Sequence, residues 1–343
     1  MKVVEYTQAF SDRLDAAIAK ADFDVPLLSR PQYVRHMFLR DPHSRLQLLL
    51  STEGAVVATL GSEYVRMQSG SRSLAVAILS NTYSFEPGAV TFLLHRWMKT
   101  CEIGILFPGN LQMRQLIARQ KRWVQIPGLR TLWLNWDYPV FAHDPLWKRL
   151  AKPVISRATR VDAGAFGSLV SRGARGAITV RNEDRIPENL PRWDGGFGLK
   201  LSEGADYLNW RFDTALDYVR YRLFSVWVAG SRCGAVVLAE WPHCVVVSYC
   251  DGDDPDDLAG GVLLAIAEVN QGEHRYRKVL LSAIHARMRK AFERAGFRPD
   301  PVETPFYMAS FGDQSVPESD GDWLLNLEFG DAGAMFGLVY TGP

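Results

Sequence analysis

The 343-residue sequence lacks the features that mark secreted, membrane-spanning or zinc-dependent proteins. Its four cysteines form no C-x-x-C pair and have no histidine at the spacing of a zinc site, so we expect free thiols and no metal. No apolar run approaches the roughly 20 residues that span a bilayer. Charges interrupt the amino-terminal stretch "MKVVEYTQAFSDRLD", where a secretory signal would be apolar. These absences predict a cytoplasmic protein without a membrane span.

Motifs of several enzyme classes are also missing, and the net charge is only +1. The sequence contains no P-loop, no H-E-x-x-H and no Ser/His/Asp order, which leaves kinase and hydrolase functions without support. The charge is nevertheless uneven. Residues 1–150 carry 18 Lys and Arg against 12 Asp and Glu (+6), and residues 151–343 carry 21 against 26 (−5). Either the halves attract each other, or an anionic ligand prefers the first half.

Two stretches share one order of elements. Residues 33–60 and residues 207–239 each predict a short aromatic helix, a strand, a glycine-containing turn and a second strand that includes "AVV". Each half then continues with a strand, a helix, a buried strand and a basic helix. A repeat of this length indicates a duplicated domain, with the join near 141–153. We predict one domain over residues 1–145 and a second over residues 146–343.

This order, present twice, resembles the fold of the GCN5-related N-acetyltransferases (GNAT), and the resemblance covers nearly the whole chain. "YLNWRF" and the ending "WLLNLEFGD" look like stretches of acyltransferase-like proteins from bacterial polysaccharide clusters. The tandem arrangement is similar to that of the Fem-type aminoacyltransferases. The resemblance implies an α/β (α+β) fold of two tandem GNAT-like domains, each a mixed twisted sheet flanked by helices. Likeness of fold does not by itself establish an activity.

In GNAT enzymes a Q/R-x-x-G-x-G/A loop after the fourth strand holds the pyrophosphate of coenzyme A on backbone N–H groups. The first repeat offers "YSFEPGAVTFLL", in which Gly88 matches the central glycine, while Phe85 and Val90 depart from the pattern. The resemblance implies a cofactor site at Gly88, Ala89 and Val90. It adds Asn110, which matches the asparagine that binds the pantetheine arm.

The second repeat has "DGDDPDDLAGG" at the same place, with Gly260 at the central glycine. Asp257 stands where the loop has Gln or Arg, and Val262 replaces the last small residue. Aspartates at this point can simply cap the following helix. Because like charges at close range repel, we interpret the stretch as a lost phosphate site and expect coenzyme A to bind the first domain.

Five residues are candidate catalytic groups by their position in the resemblance. Tyr83 and Glu86 follow the fourth strand of the first repeat, and Tyr249 and Asp251 hold that place in the second. A carboxylate or phenol there can take a proton from the acceptor amine, directly or through water, although plain turn chemistry is an alternative. His285 occupies the asparagine position of the second repeat, where it acts either as a catalytic group or as a helix cap.

The sequence therefore predicts an N-acyltransferase that moves an acyl group from acetyl-CoA or another acyl-CoA to a small amine, with an amino sugar as one candidate acceptor. A first alternative is a Fem-like transferase that uses aminoacyl-tRNA, because such an enzyme would not need the pyrophosphate loop. RNA binding rests on charge alone, from the basic helix "RQLIARQKRW". A second alternative is a non-catalytic binding protein, because Ile117 and Phe292 stand where GNAT enzymes carry a general-acid tyrosine. The oligomeric state stays open.

Overall fold

A computed structural model provides the structure of the chain. It describes all residues except 41–42, 108–110, 128–129, 136–145, 148–149, 152–153, 155–162, 194–195, 242–243, 272–277, 284, 304–305, 314, 317–322 and 325–343. Within the described part, none of the helices combines the length and the hydropathy that a bilayer crossing requires.

The first half of the chain contains the predicted helix, hairpin and alternating strands and helices. Its helices, after a short 3-10 turn at Gln8–Phe10, are α1 (Ser11–Lys20), α2 (Pro31–Leu39), α3 (Ala89–Trp97) and α4 (Leu111–Ala118). Its strands are β1 (Lys2–Glu5), β2 (Ser44–Leu50), β3 (Val56–Ser69), β4 (Arg72–Ser84), β5 (Ile103–Leu106), β6 (Trp123–Gln125) and β7 (Arg130–Asn135).

The second half repeats this order. Its helices are α5 (Ala163–Val170), α6 (Ala205–Arg211), α7 (Pro255–Val269) and α8 (Ala286–Arg294). Its strands are β8 (Ile178–Glu183), β9 (Leu199–Leu201), β10 (Arg220–Val228), β11 (Ser231–Trp241), β12 (Cys244–Gly252), β13 (Lys278–Ala283), β14 (Arg298–Glu303), β15 (Tyr307–Ser310) and β16 (Trp323–Leu324). The repeat predicted from the sequence is therefore present as two sets of matching elements.

The strands form two mixed sheets. The first has the order β1-β2-β3-β4-β5-β15-β6, with β9 paired to β3 and β16 paired to β9. The second has the order β14-β7-β13-β12-β11-β10-β8. In each sheet the fourth strand of the repeat pairs in parallel with the strand that follows the central helix, β4 with β5 and β12 with β13. The other pairs of the two principal paths are antiparallel.

The principal path of each sheet includes one strand from the other half of the chain, and the first sheet also takes β9 and β16 from the second half. β7 lies between β13 and β14, with Leu134 opposite Val279. β15 lies between β5 and β6, with Met308 opposite Ile105. This exchange was not predicted, and it ties the halves together through backbone hydrogen bonds. The domain boundary near residue 145 stays a prediction, because residues 136–145 and 155–162 lie outside the described part of the chain.

The two sheets share an apolar core. Leu48 of β2 and Leu223 of β10 lie in this shared core, together with buried side chains of α1, α2 and α6. The next residue of each strand faces the opposite way, since successive strand side chains alternate. Leu49 packs with α3 and α4, and Phe224 packs with α7 and α8. The molecule is thus layered, with helices outside both sheets and a common core between them.

Candidate active site

The parallel strands of each sheet separate at a β-bulge. In the first sheet, β4 pairs with β5 only as far as Ile78 and then continues to Ser84 without that neighbour. The register with β3 shifts here, because Asn81 and Thr82 together face one residue of β3. Asn81 has a φ of 45°, which few non-glycine residues adopt. In the second sheet, β12 leaves β13 after Val246, and an extra residue in β12 produces the matching bulge.

Buried polar contacts hold the first bulge in place. The Asn81 side-chain amide donates to the Tyr33 hydroxyl oxygen at 2.6 Å, and the Thr59 hydroxyl donates to the Asn81 carbonyl at 3.0 Å. Gly61 lies opposite, where a Cβ would sit 2.7 Å from the Ser80 side-chain oxygen. A glycine is therefore required for the two strands to approach this closely. The bulge is a fixed feature of the sheet.

Tyr83 and Glu86 follow this bulge at the open end of the first sheet. Tyr83 and Phe85 both stack on Phe23, with ring centroids 6.1 Å and 6.0 Å apart. Phe23 is exposed, as is Glu86. The arrangement places the half-buried Tyr83 phenol on an aromatic surface that includes the exposed Phe23, with the exposed Glu86 three residues further along the chain.

The first candidate cofactor loop is accessible at its glycine. Gly88 has a φ of 78° and precedes α3, and no atom would lie within 4 Å of an added Cβ. Several loop amides are already bonded within the protein: Ala89 donates to the Glu86 carbonyl at 3.2 Å, and Val90 donates to the Ser84 hydroxyl at 3.2 Å. Asn110 lies outside the described residues. The space beside Gly88 is open, whereas the amides of Ala89 and Val90 already have partners within the protein.

The aspartates of the second loop are held by arginines. Asp254 is the cap of α7 and accepts from the backbone amides of Asp256 at 2.8 Å and Asp257 at 3.4 Å. Its other carboxylate oxygen accepts from Arg287 at 3.0 Å. Asp256 pairs with Arg294. The capping role that the sequence suggested for the cluster therefore belongs to Asp254.

Asp257 has a different environment, because it is fully buried. It accepts from the Arg175 backbone amide at 3.0 Å and from the Arg175 Nε at 2.6 Å. The contact joins α7 to the turn between α5 and β8. The hydrogen bond to Asp257 is the largest cause that raises the pKa of Arg175. The negative charges of Asp257 and two further aspartates raise this pKa as well. Arginines from other elements thus neutralise the aspartates of this loop.

Gly260 and Gly261 permit close packing of protein on protein. A Cβ on Gly260 would lie 2.4 Å from Ile178 and 2.5 Å from the Val170 carbonyl oxygen, and one on Gly261 would lie 2.6 Å from Val226. The glycines let α7 rest directly on α5 and the second sheet. The space that a Cβ would need at these glycines is therefore occupied by other parts of the protein.

Two residues that precede α6 in the chain, Trp193 and Lys200, lie at the open end of the second sheet. Trp193, which is buried, donates its backbone amide to Asp251 at 3.0 Å. The buried Lys200 ammonium lies 3.3 Å from the other Asp251 oxygen and donates to the Trp193 carbonyl at 2.5 Å. Sequence reasoning missed both Trp193 and Lys200, since neither belongs to a motif. Both contact Asp251, three residues after Ser248, the extra residue of the second bulge.

The three candidate catalytic residues of the second domain contact the segment that contains Trp193 or each other. His285 caps α8 by accepting from the Arg287 amide at 3.1 Å, which leaves its Nε2–H to donate to the Gly196 carbonyl at 3.2 Å. Its ring lies 4.2 Å from that of Trp193. The Tyr249 hydroxyl lies 3.5 Å from Asp251. The structure brings His285, Tyr249 and Asp251 together, but in a buried cluster.

Burial is the largest cause of the pKa shifts of Asp251 and Tyr249. It raises the pKa of Asp251, an effect that the Lys200 ammonium opposes. It also raises the pKa of Tyr249 well above its ordinary value, and the Asp251 charge raises it further. Tyr249 therefore stays protonated at neutral pH. Among the described residues, no group of three His, Cys, Asp or Glu side chains is placed to hold a metal ion.

The "YLNWRF" stretch of α6 joins the two halves. Glu63 of β3 is buried and accepts from the Tyr207 hydroxyl, and it lies 3.2 Å from the Arg211 Nε. Trp210 stacks on His36 at 5.6 Å, and its carbonyl lies 2.9 Å from the His36 Nε2. These contacts give the aromatic helix a structural role between α2, the first sheet and the second half.

The overall fold of the chain is similar to that of several solved structures. The chain superposes on a tandem GNAT protein from the clavulanic acid biosynthesis pathway with a TM-score of 0.51 and 13% identity, covering 92% of this chain and 99% of that one. The chain has the tandem GNAT fold.

Two other solved structures show the same likeness. A GCN5-related N-acetyltransferase from Kribbella flavida matches with a TM-score of 0.53 and 12% identity, over 90% of this chain and 72% of that chain. Saccharomyces cerevisiae N-myristoyltransferase, solved with bound myristoyl-CoA, matches with a TM-score of 0.52 and 10% identity, over 90% and 82%. Neither the profiles of known protein families nor the curated protein sequences match the chain. The GNAT fold is thus shown by structure, while Fem-type or polysaccharide-cluster kinship stays a prediction.

Proposed function

We propose that the protein is an N-acyltransferase that uses an acyl-CoA donor and a small amine acceptor, with both substrates bound at the open end of the first sheet. The observation that supports this choice is the contrast between the two repeats. Trp193 and Lys200 lie at the second open end, and arginines neutralise its loop. At the first, Gly88 faces free space and the half carries a charge of +6, which favours an anionic donor.

The residues at this site can serve both halves of the reaction. Gly88, Ala89, Val90 and Asn110 are the proposed contacts for the donor's pyrophosphate and pantetheine. The acceptor nitrogen attacks the thioester carbonyl, so that a C–N bond forms as the C–S bond breaks and the thiolate leaves. In this proposal Glu86 takes the proton that the amine loses, with Tyr83 relaying it where water intervenes. An amino sugar is one acceptor of this class, and the aromatic surface at Phe23 suits its ring.

The buried cluster at the second open end receives a structural role in this proposal. Asp251 and His285 hold the segment that contains Trp193 through its backbone, and Tyr249 stays protonated beside them. A group that is buried and already bonded on both sides has no access to an amine substrate. We therefore assign proton transfer to Glu86 and Tyr83.

One observation favours an aminoacyl-tRNA donor instead. The amides of Phe85 and Glu86 both donate to the Val57 carbonyl, and those of Ala89 and Val90 are bonded as well, so the loop offers few free donors to a pyrophosphate. A tRNA-bound donor needs no such loop. Arg114 of α4 is exposed, as are Arg119, Lys121 and Arg122 after the helix, and these cations could contact a phosphate backbone.

Calorimetry and a thiol-release assay test the choice. We expect acetyl-CoA to bind the wild-type chain, and Gly88→Asp to weaken binding about 5- to 150-fold, equivalent to roughly 1–3 kcal/mol, because a carboxylate would lie beside phosphate. The control is Gly70→Asp, since Gly70 also has a positive φ of 56° and free space around it. Equal effects of both substitutions would remove Gly88 from the site. Binding of aminoacyl-tRNA without binding of acetyl-CoA would favour the alternative donor, and binding of neither would favour a non-catalytic role.

A further inference from the structure

A polar cavity lies on the face of the first sheet that carries α3. It has a volume of about 360 Å³, which is within the size range of small-molecule sites, and it is lined by Arg45, Gln47, Tyr64 and Thr100. The first two belong to β2, the third belongs to β3, and Thr100 follows α3. Gly88 lies at the other end of α3, whose nine residues span roughly 13 Å. The cavity is therefore separate from the proposed active site.

Arg45 gives this cavity a positive charge. Its guanidinium lies 5.6 Å from the centroid of the Tyr64 ring, a cation–π contact that holds an otherwise exposed side chain. Within the described part of the chain, no carboxylate forms an ion pair with Arg45. Burial raises the pKa of Tyr64, so the phenol stays neutral beside the guanidinium. A guanidinium that is held in place without an acidic partner is suited to a carboxylate, which it can bind through two parallel hydrogen bonds.

Gln47 and Thr100 give the same cavity hydrogen-bond acceptors. The Gln47 Oε1 atom is buried and has no hydrogen-bond partner among the described residues, although buried polar atoms normally have one. The Thr100 hydroxyl donates to the Trp97 carbonyl at 2.8 Å, so its oxygen is left to accept. Glu5 of β1 lies directly opposite Gln47, which places its side chain on the same face of the sheet. An ammonium group, with its N–H donors and positive charge, is suited to this set of oxygens.

We propose that this cavity binds a free α-amino acid, with the carboxylate on Arg45 and the ammonium group at Gln47 and Thr100. Arg45 and Gln47 are two residues apart on one face of β2, so they are separated by roughly 7 Å, which one small zwitterion can bridge. The charges of Arg45 and Glu5 act on the Tyr64 phenol in opposite directions, so a positive and a negative group are both close to the cavity. A simple anion would leave the buried Gln47 oxygen without a donor, whereas a zwitterion matches both groups. This site does not depend on the proposed acyl transfer.

Calorimetric titration of the full-length chain with each of the common free amino acids tests the proposal. We expect at least one of them to bind, and its analogues without the carboxylate or without the amino group to bind at least about tenfold more weakly. Arg45→Gln and Gln47→Leu should each weaken binding to a similar extent. Gln47→Leu should not lower the thermal midpoint of the free chain, because it removes a buried oxygen that has no hydrogen bond within the described part. Its weaker binding would then not be a consequence of unfolding.

The matched control is Arg13→Gln, which removes another exposed arginine that lies over an aromatic ring, 5.7 Å from the Phe10 centroid. This variant and Glu86→Gln should bind the amino acid as the wild type does. The proposal is wrong if no amino acid binds, if either analogue binds equally well, or if Arg13→Gln loses as much affinity as Arg45→Gln. It is also wrong if Glu86→Gln abolishes binding while Arg45→Gln retains it. In that case the amino acid binds as an acceptor at the proposed active site.

Discussion

Replacing Asp257 by asparagine should destabilise the protein much more than the same change at Asp256. Asp257 has 0% of its side chain exposed and accepts two hydrogen bonds from Arg175, of 3.0 Å and 2.6 Å. Asparagine can keep only one acceptor oxygen there, and its NH₂ group would face the Arg175 Nε–H, so that two donors oppose each other. Breaking a buried pair costs about 3–5 kcal/mol, but the Arg175 side chain is 51% exposed and water can solvate it. We therefore expect a loss of about 2 kcal/mol in the free energy of unfolding.

Asp256→Asn is the matched comparison. Its partner Arg294 is 45% exposed, and ion pairs that water can reach contribute about 1 kcal/mol or less. Urea denaturation followed by circular dichroism measures both variants. Equal and small effects would mean that the buried contact of Asp257 with Arg175 adds little stability, and the argument from burial would be refuted.

The same pair of substitutions tests whether the second loop can bind coenzyme A. We expect Asp256→Asn/Asp257→Asn, placed in a Gly88→Asp background, to show no acetyl-CoA binding in calorimetry. The charges would be gone, but Ile178 and Val226 would still cover the glycines of α7. Recovery of acetyl-CoA binding would show that the negative charges of Asp256 and Asp257 alone had prevented binding at this loop.

Three further predictions concern buried polar groups. Lys200→Met should cost about 3–5 kcal/mol in a urea titration, since it leaves Asp251 buried beside an apolar side chain, and adding Asp251→Asn should restore part of the loss. Tyr207→Phe should cost about 1–3 kcal/mol by removing a buried donor to Glu63, with no change if that hydroxyl is dispensable. Burial, and to a smaller extent the charge of Arg211, lowers the pKa of His36 below 6.5. The unfolded chain therefore binds this proton more tightly than the folded chain does. For this reason stability should fall as the pH drops below about 6.5. His36→Gln should flatten this pH dependence of the thermal midpoint, and an unchanged slope would contradict the assignment.

Local sequence determined the elements and their order. Alternating strands, glycine-containing turns and amphipathic helices depend on neighbours only a few residues apart, so the repeat of helix, three strands, helix, strand and helix could be predicted and is confirmed. Gly54 and Gly230 do occupy hairpin turns with φ values of 84° and 85°. The aspartates before α7 were correctly placed at a helix start, where Asp254 caps.

The pairing of distant groups was decided only in the tertiary structure. Strand exchange places β7 and β15 in the sheets of the opposite halves, and the hydrogen-bonding capacity of a strand says nothing about which partner it will meet. Arg175 and Asp257 are 82 positions apart, and Trp193 and Asp251 are 58 apart, so no spacing rule joins them. Their burial sets the strength of each contact, because removal from water is what makes an unpaired charge costly. For this reason the sequence could indicate two equivalent loops, whereas packing filled one and left Gly88 of the other facing open space.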